Sequence, residues 1–92
     1  MRLGWSAAAA GDLELIAAYL FDKTPVHAER LVRSLYREIT GLRDFPSRGR
    51  SGKKPGTREL VIPSLPYIVV YQVSRDAVYI VRILHGAQQW PD

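Results

Sequence analysis

Two runs of strand-forming residues, YIVVYQVS at 67–74 and AVYIVRIL at 77–84, lie close together near the end of the chain. Both are rich in Tyr, Ile and Val and show little polar alternation, the pattern of central strands covered on at least one face. The Arg75-Asp76 pair between them predicts a tight turn. A shorter run, Arg58–Ile62, reads as a preceding strand. Pro63 ends it, and Pro63-Ser64-Leu65-Pro66 supplies the next turn. The rest of the chain therefore has to provide a cover for this sheet.

The cover is helical. Ser6 is placed to cap a helix beginning at Ala7, because its hydroxyl can accept from a free backbone N–H of the first turn. Leu13, Ile16, Ala17 and Leu20 recur at one helix face. Asp12 and Glu14 lie near the positive end of that helix. Thr24-Pro25 marks a second start, with Thr as cap and Pro at the first helical position. Ala28, Leu31, Val32, Leu35, Ile39 and Leu42 continue an apolar face until Gly41 weakens the last turn and Pro46 stops it. So short a link makes the two helices an antiparallel hairpin. Pro46 to Gly56 reads as a mobile loop. Arg2–Trp5 reads weakly as a first strand. The expected fold is α+β, in the order β-α-α-β-β-β, with a helical hairpin on one face of a small, mainly antiparallel sheet. Residues 1–92 are expected to form one domain.

Charge separates the loop from the body. The 92 residues carry a net +4. Arg43, Arg48, Arg50, Lys53 and Lys54 stand against Asp44 alone, so the segment from Arg43 to Gly56 carries all of it. A neutral body with one basic loop points to an anionic partner met on one side. There are no cysteines, which removes disulfides and thiolate metal sites. No apolar run reaches the roughly 18 residues of a membrane span, and the start lacks a signal-peptide layout. The cytoplasm is the expected location, with no membrane partner.

No Walker loop, dinucleotide fingerprint or HExxH motif is present. His27 and His85 lie on different elements without an acidic cluster, so neither a metal nor another cofactor is expected. What stands out is polar groups in an apolar sheet. Strict alternation puts Tyr79, Val81, Ile83 and His85 on one face and Val78, Ile80, Arg82 and Leu84 on the other, unless a bulge changes the phase. Arg58, Arg82 and His85, with Lys53 and Lys54, are candidates for a phosphate-binding surface. Such a surface can cleave RNA without metal: the 2′-OH attacks the adjacent phosphate, cations stabilise the phosphorane, and His85 serves as base or acid. Trp90 is a candidate base-stacking group. Each residue also has a plain reading. His85 ends a strand, Arg58 can pair with a carboxylate, and Arg82 can reach an acid on a helix. The lysines can belong to a solvated connection, and Trp90 can pack the tail.

The sequence FPSRGRSG after the helical hairpin, then GTRELVI, PYIVVYQV and VYIVRILHGAQQWP, resembles the RelE/ParE superfamily of bacterial toxins across essentially the whole chain. The resemblance implies the toxin of a type II toxin–antitoxin pair, bound by a cognate antitoxin in a hetero-oligomer. It also implies that the first strand joins the sheet at an edge. RelE-like members cleave mRNA on the ribosome. On their pattern Arg58, Lys53 and Lys54 match the basic positions and His85 the end of the last strand. With the residue reading above, Arg58, Arg82 and His85 are the expected catalytic groups, and Arg50, Lys53, Lys54 and Trp90 the expected RNA contacts. The departure is Ile68, where several active nucleases carry arginine. ParE-like members instead poison DNA gyrase, and the ending RILHGAQ looks as much like theirs. The leading expectation is ribosome-dependent mRNA cleavage, and the alternative is gyrase inhibition without nuclease activity.

Overall fold

The computed structural model describes residues 1–86 and 88–91. Its elements are β1 (Arg2–Trp5), α1 (Ala7–Lys23), α2 (Pro25–Thr40), a 3-10 turn (Gly41–Arg43), β2 (Arg50–Ser51), β3 (Arg58–Val61), β4 (Tyr67–Val73) and β5 (Ala77–His85). The order matches the sequence reading with one strand added.

Ser6 starts α1 as its spacing requires. Its Oγ accepts from the Ala9 N–H at 2.9 Å and donates to the Val81 carbonyl at 2.7 Å. The same hydroxyl therefore caps the helix and fastens it to β5. Thr24 works differently from the expected side-chain cap, since its hydroxyl makes no capping bond to α2. Its backbone N–H closes α1 on the Leu20 carbonyl at 2.8 Å, and its own carbonyl accepts from His27 at 3.0 Å.

Five strands form one sheet in the order β1-β5-β4-β3-β2. The β2–β3, β3–β4 and β4–β5 pairs are antiparallel, while β1 lies parallel to β5 at the edge. The apolar stripe of the helices meets this sheet. Leu35, Ile39 and Leu42 pack with Val69, Tyr71 and Ile80 in the core, all six fully buried. Each such aliphatic side chain stabilises the fold by roughly 1.5–3 kcal/mol relative to exposure.

β5 departs from strict alternation. Val70 faces Arg82 and Val69 faces Ile83, but Tyr71 faces Ile80, which leaves Val81 as the extra residue of a bulge. The bulge moves Ile83 into the same buried cluster as Val78 and Ile80, where unbroken alternation had set it on the opposite face.

The basic loop is also more ordered than its Gly and Pro content predicts. Arg50 pairs with Glu59 and Ser51 with Arg58, and Gly52 N–H reaches the Thr57 carbonyl at 2.8 Å. Lys54-Pro55-Gly56-Thr57 closes the hairpin, with Thr57 N–H on the Lys54 carbonyl at 3.1 Å and Gly56 at φ 83°. Pro at the second position and a positive-φ Gly at the third are what a type II turn requires. Among the described residues, no helix is long and apolar enough to cross a membrane.

Candidate functional site

Past the end of β1, the outer edge of β5 is closed by side chains. Asp12 of α1 does most of this. Its carboxylate accepts from Arg82 Nε at 2.7 Å and Nη2 at 3.1 Å, and from the Ile83 backbone N–H at 2.9 Å. The forked pairing fits a guanidinium to a carboxylate plane. The Arg82 and Asp12 side chains are 28% and 15% exposed, so water screens the pair only partly. Farther along, Gln88 Oε1 accepts from the His85 backbone N–H at 3.1 Å.

Between α1 and this part of β5 lies a cavity of about 610 Å³. Leu15, Ile16 and Ile83 form its apolar wall, and Tyr19, Tyr67, Arg82 and His85 bring polar groups to it. The His85 ring meets Tyr67 edge-on, with centroids 6.2 Å apart. Burial, and then the neighbouring Tyr19, push the Tyr67 hydroxyl above its ordinary pKa. Tyr67 is thus a neutral hydrogen-bonding group near pH 7 and not a phenolate base.

The other sequence candidates lie elsewhere. Arg58 Nη1 donates to the carbonyls of Gly49 at 2.6 Å and Ser47 at 3.3 Å, so it holds the loop before β2 and does not pair with Glu59. Arg50 takes that carboxylate at 3.1 Å, and the Lys53 backbone N–H donates to its second oxygen at 3.2 Å. Lys53 and Lys54 are exposed beside the hairpin turn, and Trp90 is half-buried in the C-terminal segment. His85 lies opposite Tyr67 and Arg58 opposite Tyr71, on the two sides of β4. Four residues along a strand separate them by about 13 Å. The sheet therefore brings Arg82 and His85 to one cavity and leaves Arg58, Arg50, Lys53 and Lys54 toward the other end.

Sequence reasoning passed over Asp12, read there only as a charge near the helix start, and Tyr19. The available signal was that Asp12 lies one turn before Ile16 and beside Leu13, on the helix side that meets the sheet. Among the described residues, no cluster of three or more His, Cys, Asp or Glu is arranged to hold a metal ion.

This architecture matches that of the chromosomal ParDE TA system from P. aeruginosa, with a TM-score of 0.85 and 26% identity over 92% of this chain and 95% of that one. The intact E. coli RelBE toxin–antitoxin complex shares the fold alone, with a TM-score of 0.66 at 15% identity over 96% and 98% of the two chains. The class is that of small toxins built as a helical hairpin on a mixed sheet. Residues 3–90 match the family described as ParE toxin of type II toxin-antitoxin system, parDE, and the chain belongs to that family. Among its relatives is a Sinorhizobium fredii protein named as a toxin, Y4kP, 39% identical over 98% of this chain and 93% of the relative. Toxin RelE2 of Caulobacter vibrioides is 33% identical over 91% and 93% of the two.

Proposed function

We propose that this toxin acts by binding DNA gyrase and stalling it on cleaved DNA, and that a cognate antitoxin neutralises it. The carrying observation is the dispersal and prior use of the cations that RNA cleavage would need. Arg82 is clamped by Asp12, and Arg58 is held by two loop carbonyls on the far side of β4 from His85. A phosphorane needs cations, base and acid within hydrogen-bond reach of one phosphate. Ile68 adds an aliphatic side chain to β4, opposite Leu84. The family's description and the ParDE and RelBE neighbours support an antitoxin partner. The exposed Leu15 and Tyr19 beside the cavity offer such a partner apolar surface.

The second reading is metal-independent mRNA cleavage on the ribosome. Arg58, Arg82 and His85 would then be the reacting groups, with Arg50, Lys53, Lys54 and Trp90 on the RNA. The shared cavity of Arg82 and His85 favours it.

Supercoiled plasmid incubated with gyrase, ATP and toxin, then treated with detergent and protease, tests the choice. Linear plasmid that depends on both proteins is the expected result. Intact plasmid, together with new mRNA ends on translating ribosomes that vanish in His85→Ala, overturns it.

A further inference from the structure

The strand pairing places every cationic tip on one end of the sheet. Arg58 faces Tyr71 and Val73 faces Val78, so the β2–β3 hairpin and the β4–β5 turn point the same way. Arg2 faces Ala77, so the start of β1 lies at that end too. The rim therefore carries Lys53 and Lys54 on the first tip, Arg75 on the second, and Arg2 beside Asp76. All five are exposed. Arg2 and Asp76 pair at 3.2 Å with 80% and 72% of their side chains exposed, a contact that water largely screens. Among the described residues, no carboxylate lies within ion-pair reach of Lys53, Lys54 or Arg75.

The rim is built to hold its shape. Glu59 is 7% exposed and ties Arg50 and the Lys53 backbone together beneath the hairpin tip. The type II turn fixes the backbone between Lys54 and Thr57. Strand spacing sets the distances. The two tips lie two strands apart, about 10 Å, and β1 adds about 7 Å more. A span of about 17 Å is about five base-pair steps of duplex axis, at about 3.4 Å per step, long enough for the cations to reach several phosphates. Preorganised cations at that spacing bind without ordering a loop.

We propose that this end of the sheet binds the phosphate backbone of duplex DNA. It rests on the gyrase reading for its setting: the toxin would touch the DNA held by the enzyme, and the cavity at the other end would stay open to protein. The contact is through phosphates and carries no base preference.

Fluorescence anisotropy of a labelled 20-base-pair duplex, titrated with full-length toxin from 50 to 200 mM salt, tests it. Three phosphate contacts give a log–log salt slope of about −2.7, and the Lys53→Gln/Lys54→Gln double variant should flatten it to about −0.9. Both side chains are exposed, and the backbone bonds of the turn survive glutamine. Arg33→Gln on the outer face of α2 is the charge control and should leave the slope nearly unchanged. An unaltered slope in the double variant, or an equal loss in Arg33→Gln, overturns the assignment. So does a double variant that loses capture by gyrase while still binding the duplex like the wild type, which would make the rim a protein-binding surface. The plasmid assay keeps the two ideas apart. Gyrase-dependent breaks with an unaltered slope remove the rim and keep the gyrase reading. The expected slopes with no breaks remove the gyrase reading and keep the rim.

Discussion

Replacing Tyr71 by Phe should destabilise the protein far more than the loss of one oxygen atom implies. Tyr71 is fully buried, yet its hydroxyl accepts from the Gly49 N–H at 2.7 Å and donates to the Pro46 carbonyl at 2.8 Å. These bonds tie the stretch before β2 to the middle of β4. Gly49 is itself buried, so its N–H would face no acceptor once the hydroxyl is gone. A net hydrogen bond contributes about 1 kcal/mol, and an orphaned buried donor costs about 1–3 kcal/mol. The half-buried Pro46 carbonyl can be met by water, so the sum is about 2–3 kcal/mol. At a urea slope of about 1 kcal/mol/M for so small a domain, the midpoint should fall by about 2–3 M with the slope unchanged. A shift under about 0.5 M would refute the reasoning, because it would mean that solvent already reaches the Gly49 amide. Gly49→Ala provides the companion test. A Cβ there would lie 2.6 Å from the Tyr71 hydroxyl and 2.9 Å from the Glu59 carbonyl oxygen. The second contact is to backbone, so Tyr71→Phe should not rescue Gly49→Ala.

Asp12→Ala should cost about 2 kcal/mol, read as a lower melting temperature, because it removes both the forked ion pair with Arg82 and the acceptor of the Ile83 N–H. Asp12→Asn, which keeps an acceptor for that N–H, should cost less, and equal losses would remove the backbone bond from the account. Tyr67 has a folded pKa above its ordinary 10.0, so its contribution is fully present below pH 10 and is lost as the pH rises through the folded value. Tyr67→Phe should therefore lose less stability than the wild type in denaturant titrations between pH 9 and 11. Gly52→Ala places a Cβ 2.2 Å from Thr57 Oγ1 and 3.0 Å from the Thr57 carbonyl oxygen. It should open the hairpin and speed tryptic cleavage at Lys53 and Lys54 several-fold, and an unchanged cleavage rate would contradict the described turn.

The helical hairpin and the three main strands were legible because their signals are periodic and long. Leu35, Ile39 and Leu42 mark one helix face, and PYIVVYQV has few other solutions. The single-residue bulge at Val81 left no trace, since one extra valine in VYIVRIL changes neither composition nor length appreciably. β2 was hidden for the opposite reason. Two residues among Gly, Pro and Ser carry no period, and only the Lys54-Pro55-Gly56-Thr57 turn hinted at a hairpin. At the site, residue types were legible but partners were not. Arg58 and Arg50 both had Glu59 as a plausible mate, and strand register, invisible in sequence, gave it to Arg50. Arg82 did reach an acid on a helix, and the residue responsible lies 70 positions earlier.

The parallel pairing of β1 with β5 has a consequence for how the chain becomes a toxin. Ser6 bonds to Val81 across 75 residues, so the first strand and first helix have no place to dock until nearly the last strand exists. Contacts so distant in sequence form late and slow folding. In a nascent chain that has left the ribosome only as far as β4, β1 and the start of α1 have no β5 to dock on, and the cavity lacks its far wall. Synthesis itself thus delays the appearance of a competent molecule. The cavity between α1 and β5 is therefore completed only with the last strand.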